Sequence, residues 1–341
     1  MATDHSRYMQ VALALARRNL GQTWPNPSVG AVIVKNGQII GQGFTARSGR
    51  PHAETEAIAQ VGENAKGASL YVTLEPCSHH GKTGPCAEAV IAAGITQLIS
   101  ACRDPNPLVS GKGIALLKQA GVEVVEGIGE REALEINRGF FSVIEKKRPF
   151  IALKIATSLD GKMATAAGES KWITGEKARA RGHLLRSRYD ALATGIGTAL
   201  ADDPQLTCRL PGLENKSPVL AVFDRNNRLP AASNLVKSEA WVLNQPDLPS
   251  AIKHLTEKGI TRLLVEAGPT LSTAFLQSGL VDRIYWFRAP IVIGNDGLAV
   301  ANDGFSTSLA TLPMWKPIDK IPLENDMLEI YERMDPGSSP G

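Results

Sequence analysis

Apolar positions at helical spacing run through residues 6–18 (SRYMQVALALARR) and predict an amphipathic helix. Asn26-Pro27 stops any helix, because the residue before a proline is driven out of the helical region. Next, VGAVIVKNGQIIGQG reads as a strand, a tight Asn-Gly turn and a second strand. HAETEAIAQV predicts a helix starting near His52. ASLYVTLEP is rich in strand formers and puts Cys77 just past a strand end. CAEAVIAAGI predicts a helix ending at Gly94, TQLISACRD a strand, KGIALLKQAG a helix and VEVVEG a strand. Strands alternating with helices predict a three-layer α/β sheet.

At residues 145–149 the pattern breaks into EKKRP, a charge run followed by proline, and a domain boundary is placed there. Beyond it the pattern predicts strand 150–157, helix 176–187, strands 189–195, 218–223 and 240–243, helix 249–258, strand 261–265, helix 270–278, strand 282–289 and a last strand near 326–333. This half is also α/β, and no internal repeat relates it to the first. The expected domains are 1–146 and 149–335, with residues 336–341 a disordered tail.

Composition changes this picture little. A length of 341 residues exceeds one ordinary core and agrees with two domains. A net charge of +3 is too small to imply a nucleic-acid or membrane partner, and neither is expected. No apolar run approaches the roughly 18 residues a membrane span needs. VALALA is too short for a signal segment. Four cysteines do not make a disulfide framework in a chain this long, so a cytoplasmic location is expected and the paired cysteines suggest metal or catalysis.

The chemistry concentrates in TLEPCSHHGKTGPC, residues 73–86, and in PHAE, residues 51–54. His52, Cys77 and Cys86 make a three-ligand zinc set that leaves the fourth tetrahedral position open for water. Glu54, two residues from His52, is placed to take and return protons, provided it is not itself a ligand. A closed Cys2His2 finger built from Cys77, Cys86, His79 and His80 is the structural alternative, but both histidines lie between the cysteines, where finger spacing does not put them. His79 and His80 read more modestly as the lining of a substrate loop. Lys82 in that loop meets a substrate phosphate or is simply solvated. Cys102 and Cys208 read as core or free thiols.

The H-x-E and P-C pairs are the signature of zinc-dependent nucleobase deaminases, except that the second cysteine comes nine residues after the first rather than three. With that insertion, HAE and EPCSHHGKTGPC resemble the deaminase half of the bifunctional riboflavin-biosynthesis deaminase/reductase family. NPSVGAVIV, RDPNPLVSGKG and LKIATSLDGKMAT match the same family, and the resemblance runs from about residue 6 to about 333. It implies a cytidine-deaminase-like α/β/α domain followed by a dihydrofolate-reductase-like α/β domain. It implies Zn2+ and NADPH as cofactors, a phosphorylated pyrimidine as substrate, and a homo-oligomer.

The reactions implied are hydrolytic deamination of 2,5-diamino-6-ribosylamino-4(3H)-pyrimidinone 5′-phosphate, then reduction of its ribosyl chain to give 5-amino-6-ribitylaminouracil 5′-phosphate. By resemblance Asn26 contacts the pyrimidine; locally it could be a turn former before Pro27. Thr45 stands in GQGFT where the family often has His.

In the second half, LKIATSLDGKMATAAGESKWIT, TGIGTALADDPQLTCR and VEAGPTL carry the resemblance. The last is a strand running into a helix whose N-terminal N–H groups suit a pyrophosphate. A full G-x-G-x-x-G is absent, and GQGFTA at 41–46 opens no helix. The resemblance puts Ala156, Trp172, Thr198, Asp202 and the segment Gly268, Pro269, Thr270, Leu271, Ser272, Thr273, Ala274 against the cofactor. It puts Ser170, Arg186, Leu206, Arg209 and Glu266 against the substrate. Arg186 and Arg209 suit a ribose 5-phosphate, since guanidinium forks bind phosphate oxygens in pairs. The structural alternatives are a surface charge for Arg186, a core position for Trp172 and a turn cap for Asp202. Arg225 stands where the family often has Ser; it either pairs with the 2′-phosphate of NADP or sits on a turn.

Two rival readings need other features. A tRNA- or cytidine-directed deaminase with an accessory domain would lack the inter-cysteine insertion and the 153–174 motif. A zinc-stabilised nucleic-acid module would need a basic stripe with interleaved aromatics, and aromatics make up only 5% of the chain.

Overall fold

The computed structural model describes residues 2–80, 84–107, 109–301, 308 and 312–334. The chain divides into two compact units, Met1–Arg148 and Pro149–Gly341.

In the first unit, α1 (Ala2–Ala16) precedes the hairpin of β1 (Gly30–Lys35) and β2 (Gln38–Phe44). The turn residues Asn36 and Gly37 both have positive φ, 52° and 74°, as a tight hairpin with right-handed strand twist requires. Then follow α2 (Ala53–Val61), β3 (Ser69–Val72), α3 (Cys86–Ala92), β4 (Gln97–Ser100), α4 (Lys112–Gln119) and β5 (Glu123–Glu126). The sheet order is β2-β1-β3-β4-β5, antiparallel about β1 and parallel from β3 to β5. Ala31, Val32 and Ile33 on β1 are all fully buried. Successive side chains leave a strand on opposite faces, so the sheet is covered on both sides, as the three-layer reading requires.

Two helices that the pattern did not predict close this unit, α5 (Glu130–Ile136) and α6 (Arg138–Lys146). The first has only seven residues, and the charge run at the end of the second masks its apolar face. Asn137 between them is buried; its amide accepts from Ser28 N and donates to Ser28 O, fixing the pair from 109 residues away. Strand β3 ends at Val72, so Cys77 lies five residues beyond it rather than directly at its end.

Gly43 explains how α2 comes to lie hard against β2. A Cβ there would sit 2.1 Å from Ala53 O and 2.8 Å from Ala57 N, so only glycine admits this approach. The first turn of α2, with His52 and Glu54, is thereby pressed to the sheet.

The second unit contains β6 (Phe150–Thr157), β7 (Lys162–Ala164), α7 (Glu176–Arg186), β8 (Ala191–Gly195), α8 (Ile196–Asp202), β9 (Val219–Phe223), α9 (Asn234–Lys237), β10 (Trp241–Leu243), α10 (Leu248–Glu257), β11 (Arg262–Glu266), α11 (Pro269–Ser278), β12 (Arg283–Arg288), β13 (Leu298–Ala299), β14 (Trp315–Leu323) and β15 (Asp326–Arg333). Its main sheet runs β10-β9-β8-β11-β6-β12-β15-β14. The first six are parallel, and β15 and β14 are antiparallel additions. Parallel pairing collects the carboxyl ends of β8, β9, β11 and β6 along one edge, where open α/β sheets bind ligands.

Strand β14 and helix α8 are further elements the pattern did not predict. The strand lies at the sheet edge, is largely exposed and contains Pro317 and Pro322, so it has neither apolar alternation nor a central strand's composition. The helix starts in GIG and ends in ADD, which read locally as loop.

Candidate active sites

The first site is assembled from the start of α2, the loop after β3 and the start of α3. His52 is the N-cap residue of α2, Cys77 lies in the loop, and Cys86 is the first residue of α3, after Pro85. Among the described residues the ligand atoms of His52, Cys77 and Cys86 form one group, all within 4.8 Å of one another. His52 Nδ1 is 3.2 Å from Cys86 Sγ and 3.8 Å from Cys77 Sγ. A tetrahedral zinc with ordinary Zn–N and Zn–S bonds would set these separations near ~3.6 Å, so the donor set fits the ion in type and spacing. The Cys86 N–H also points at Cys77 Sγ, 3.3 Å away. Donation from the Cys86 side chain, helped by His52 and this N–H against the cost of burial, lowers the Cys77 thiol to about 4. His52 is raised, chiefly by its hydrogen bond with Cys77, and Cys86 is raised by sharing a proton with Cys77.

Glu54 lies in the first turn of α2, only 4% exposed, and is not part of the ligand group. Burial, then the negative charge of Cys77, pushes its carboxyl up to about 7. A carboxyl so tuned can accept and return a proton near neutral pH. His79 and His80 also stand outside the group: His79 lines the cavity and His80 pairs with Glu88 at 3.3 Å, which removes the closed-finger alternative.

The cavity beside this group is lined by Asn26, Thr45, Arg50, Glu54, Asp104 and Asn106, among others. Asn26 lines this cavity, and its Nδ2 donates to Gly49 O at 3.1 Å. Thr45 Oγ1 accepts from Val29 N at 2.9 Å, so in this chain the hydroxyl ties β2 to the segment before β1. Asp104, almost wholly buried, is raised to about 6 by burial. Lys82 lies outside the described residues. Arg50, Asp104 and Asn106 were not singled out from the sequence; the signal each carried was a proline directly after it, Pro51, Pro105 and Pro107.

The second site lies along the carboxyl edge of the parallel strands. Glu266, at the end of β11, is the centre of a buried charge cluster. Arg186 Nε and Nη2 pair with its two oxygens at 2.8 and 2.9 Å, and Lys154 Nζ on β6 is 3.8 Å away. Burial pushes Glu266 up, but the charges of Arg186 and Lys154 outweigh it and hold the carboxyl at about 2. Arg186 Nη1 donates to Thr207 O at 3.1 Å. Arg186, expected to fork a substrate phosphate, here has Nε and Nη2 on Glu266, itself an expected substrate residue. It is not a surface charge, with 14% of its side chain exposed.

Arg209 is exposed, and its backbone N–H donates to His183 Nδ1 of α7 at 3.2 Å. Leu206 is buried with a positive φ of 53°. Ser170 precedes Lys171, which pairs with Asp202 at 3.3 Å; Asp202 is the last residue of α8. Trp172 is 67% exposed with the Arg179 guanidinium 4.8 Å from its ring centre, so it is not a core residue. Ala156 lies on β6.

Thr198 Oγ1 accepts from Gly268 N at 3.1 Å, joining the starts of α8 and α11. In the segment Gly268–Ala274, Ser272 and Thr273 lie on the inward face of α11. Both are buried, and their hydroxyls donate to Ala267 O and Pro269 O rather than turning outward. Arg225 is exposed at the end of β9 and donates to Pro246 O. Lys154 went unremarked in the sequence, although a lysine inside the apolar run IALKIA was its signal.

Residues 2–102 match the family model for the cytidine and deoxycytidylate deaminase zinc-binding region, and residues 149–321 match the model for the RibD C-terminal domain. The riboflavin biosynthesis protein RibD of Aquifex aeolicus is 42% identical over 333 residues, covering 91% of this chain and 93% of that protein. The chain belongs to the RibD family. The Escherichia coli RibD is 40% identical, covering 91% of this chain and 94% of its own. The structure of Acinetobacter baumannii RibD superposes with a TM-score of 0.90 at 40% identity, covering 98% of this chain and 100% of that one. A Thermotoga maritima diaminohydroxyphosphoribosylaminopyrimidine deaminase/5-amino-6-(5-phosphoribosylamino)uracil reductase also gives 0.90, at 35% identity over 98% of this chain and 99% of its own. As a RibD, the chain is a two-domain enzyme of riboflavin biosynthesis: a zinc-dependent deaminase of the cytidine-deaminase class, then an NADPH-using pyrimidine reductase. Its substrates are small molecules, and no helix among the described residues is long and apolar enough to cross a membrane.

Proposed function

We propose that residues 1–146 deaminate 2,5-diamino-6-ribosylamino-4(3H)-pyrimidinone 5′-phosphate and that residues 149–335 reduce the ribosyl chain of the product. The observation that carries the first half is a buried, uncoordinated carboxyl beside one imidazole and two thiols at zinc-ligand spacing. His52, Cys77 and Cys86 would hold the ion, which when bound supplies the Lewis acidity that makes water nucleophilic near neutral pH. Glu54 takes the proton that the attacking water loses and delivers it to the ring nitrogen; it then takes the proton of the newly added hydroxyl and passes it to the amino group, which leaves as ammonia as the carbonyl forms. Asn26 offers its oxygen to an N–H of the pyrimidine, the edge where an acceptor discriminates. Lys82, in the loop between the cysteines, is proposed to meet the substrate phosphate.

In the second half, Ala156, Trp172, Thr198, Asp202 and the segment from Gly268 to Ala274 at the start of α11 would hold NADPH, which supplies the hydride. Glu266 is fixed in its ionised form and, with Lys154, provides a charged pair to orient the opened sugar. Ser170 and Leu206 are proposed to flank the substrate. Arg209 is proposed to bind its phosphate. Replacing it, Arg209→Ala, is expected to raise KM for the phosphorylated substrate about tenfold or more, with little change for a dephospho analogue. Steady-state reduction of both compounds checks this, and equal effects on the two would remove Arg209 from phosphate binding. The proposal includes a homo-oligomer, supported by exposed Ile318 on the edge strand β14 and exposed Met314 just before it, and a cytoplasmic location, supported by four unpaired cysteines.

A further inference from the structure

Glu75 has no part in the chemistry above, yet it is a carboxylate only 3% exposed, two residues before Cys77. Its oxygens accept four backbone N–H groups. Oε2 takes those of Asp104 (3.3 Å) and Gly111 (3.0 Å), and Oε1 those of Gly113 (3.1 Å) and Ile114 (3.3 Å). A buried carboxylate is costly unless donors surround it, and here the donors are two N–H groups of the connection between β4 and α4 and two of the first turn of α4. That connection carries Asp104, Asn106 and Val109, which line the cavity beside Glu54 and His52. The start of α4 fits only because residue 113 is glycine, since a Cβ there would lie 2.1 Å from Pro76 O. Glu75 N also donates to Cys102 O at 2.9 Å, so the residue is fixed in place at its backbone as well as at its carboxylate.

We infer that Glu75 is a positioning residue of the deaminase: its carboxylate gathers the chain on both sides of Asn106 into one wall of the cavity and locks that wall to the segment bearing Cys77. The inference rests on reading this cavity as the deaminase substrate site. In Glu75→Gln one acceptor oxygen becomes a donor NH2 facing backbone N–H groups, so part of the wall is released while size and shape are kept. Full-length zinc-loaded Glu75→Gln is expected to show a KM for the diaminopyrimidine substrate raised about tenfold or more, with a smaller fall in kcat. Zinc content and reductase turnover are expected to match wild type.

Gly113→Ala, whose Cβ would drive the start of α4 off Pro76 O and so weaken the Gly113 N–H bond to Glu75 while leaving residue 75 itself unchanged, is expected to reproduce the rise in KM and guards against a Glu75 variant that fails to fold. A KM within about twofold of wild type in a folded variant of either kind would make Glu75 a structural anchor only and overturn the inference. So would a loss of zinc in Glu75→Gln, which would assign its effect to the ligand set. If Glu54→Gln retained full ammonia release, the site itself would be misread; a normal KM in Glu75→Gln beside an inactive Glu54→Gln would remove Glu75 alone.

Discussion

Glu54→Gln is expected to lower ammonia release by about 10²–10⁴-fold while zinc stays bound and NADPH-dependent reduction of the deaminated pyrimidine proceeds at the wild-type rate. The size follows from position. Glu54 is the carboxyl beside the His52–Cys77–Cys86 group that is not a ligand, and its burial raises it to about 7. The amide keeps the shape and can still donate a hydrogen bond, but it cannot take a proton from water and return it to nitrogen. Zinc content should not change, because the three donor atoms do not include Glu54. Ammonia release and NADPH oxidation measured separately on one preparation check both halves. Ammonia release within about tenfold of wild type would remove Glu54 as the proton carrier.

Arg186→Ala has the second largest expected effect, this time on stability. It strips Glu266 of a bidentate partner inside the reductase unit and leaves only Lys154, at 3.8 Å. Breaking a buried pair from one side costs about 3–5 kcal/mol, because the charge left behind has no adequate partner. The pH dependence has a definite sign. Glu266 is held at about 2 in the folded chain, below an ordinary glutamate, so the stability it contributes is complete above pH ~4.5 and is lost as the pH falls toward 2. Without Arg186, burial pushes the carboxyl upward, and protonation relieves the variant instead of harming it. The gap between variant and wild type should therefore be widest above pH ~4.5 and narrow on acidification. Tryptophan fluorescence during unfolding reports on this unit, since Trp172, Trp241, Trp286 and Trp315 lie in it and only Trp24 does not. A loss below about 1 kcal/mol at neutral pH would show that the pair is solvated and unimportant.

Both predictions separate what one sequence discloses from what only folding brings together. The hairpin was legible because Asn36-Gly37 takes the positive φ values its turn demands. The zinc set was legible because its donors are scarce residue types, each directly after a proline, Pro51, Pro76 and Pro85, at two helix starts and in the loop after β3. The pairing of Arg186 with Glu266 was not legible because the partner lies 80 residues away, and no local pattern couples α7 to the end of β11. Glu75 was invisible for the same reason, since its four donors begin 29 residues downstream and are backbone groups that any residue supplies. Ser272 and Thr273 fell within a motif whose first residues face outward, but helical periodicity turns those two inward. Strand β14 escaped because an exposed edge strand with two prolines carries no apolar alternation.

Removal and return of the metal tests the central claim most directly. Protein treated with a strong chelator should lose ammonia release and recover it with about one equivalent of Zn2+ per chain, while reduction of the deaminated pyrimidine by NADPH continues throughout. Ammonia release that survives complete metal removal, or zinc that still binds stoichiometrically to a chain carrying both Cys77→Ser and Cys86→Ser, would contradict the account.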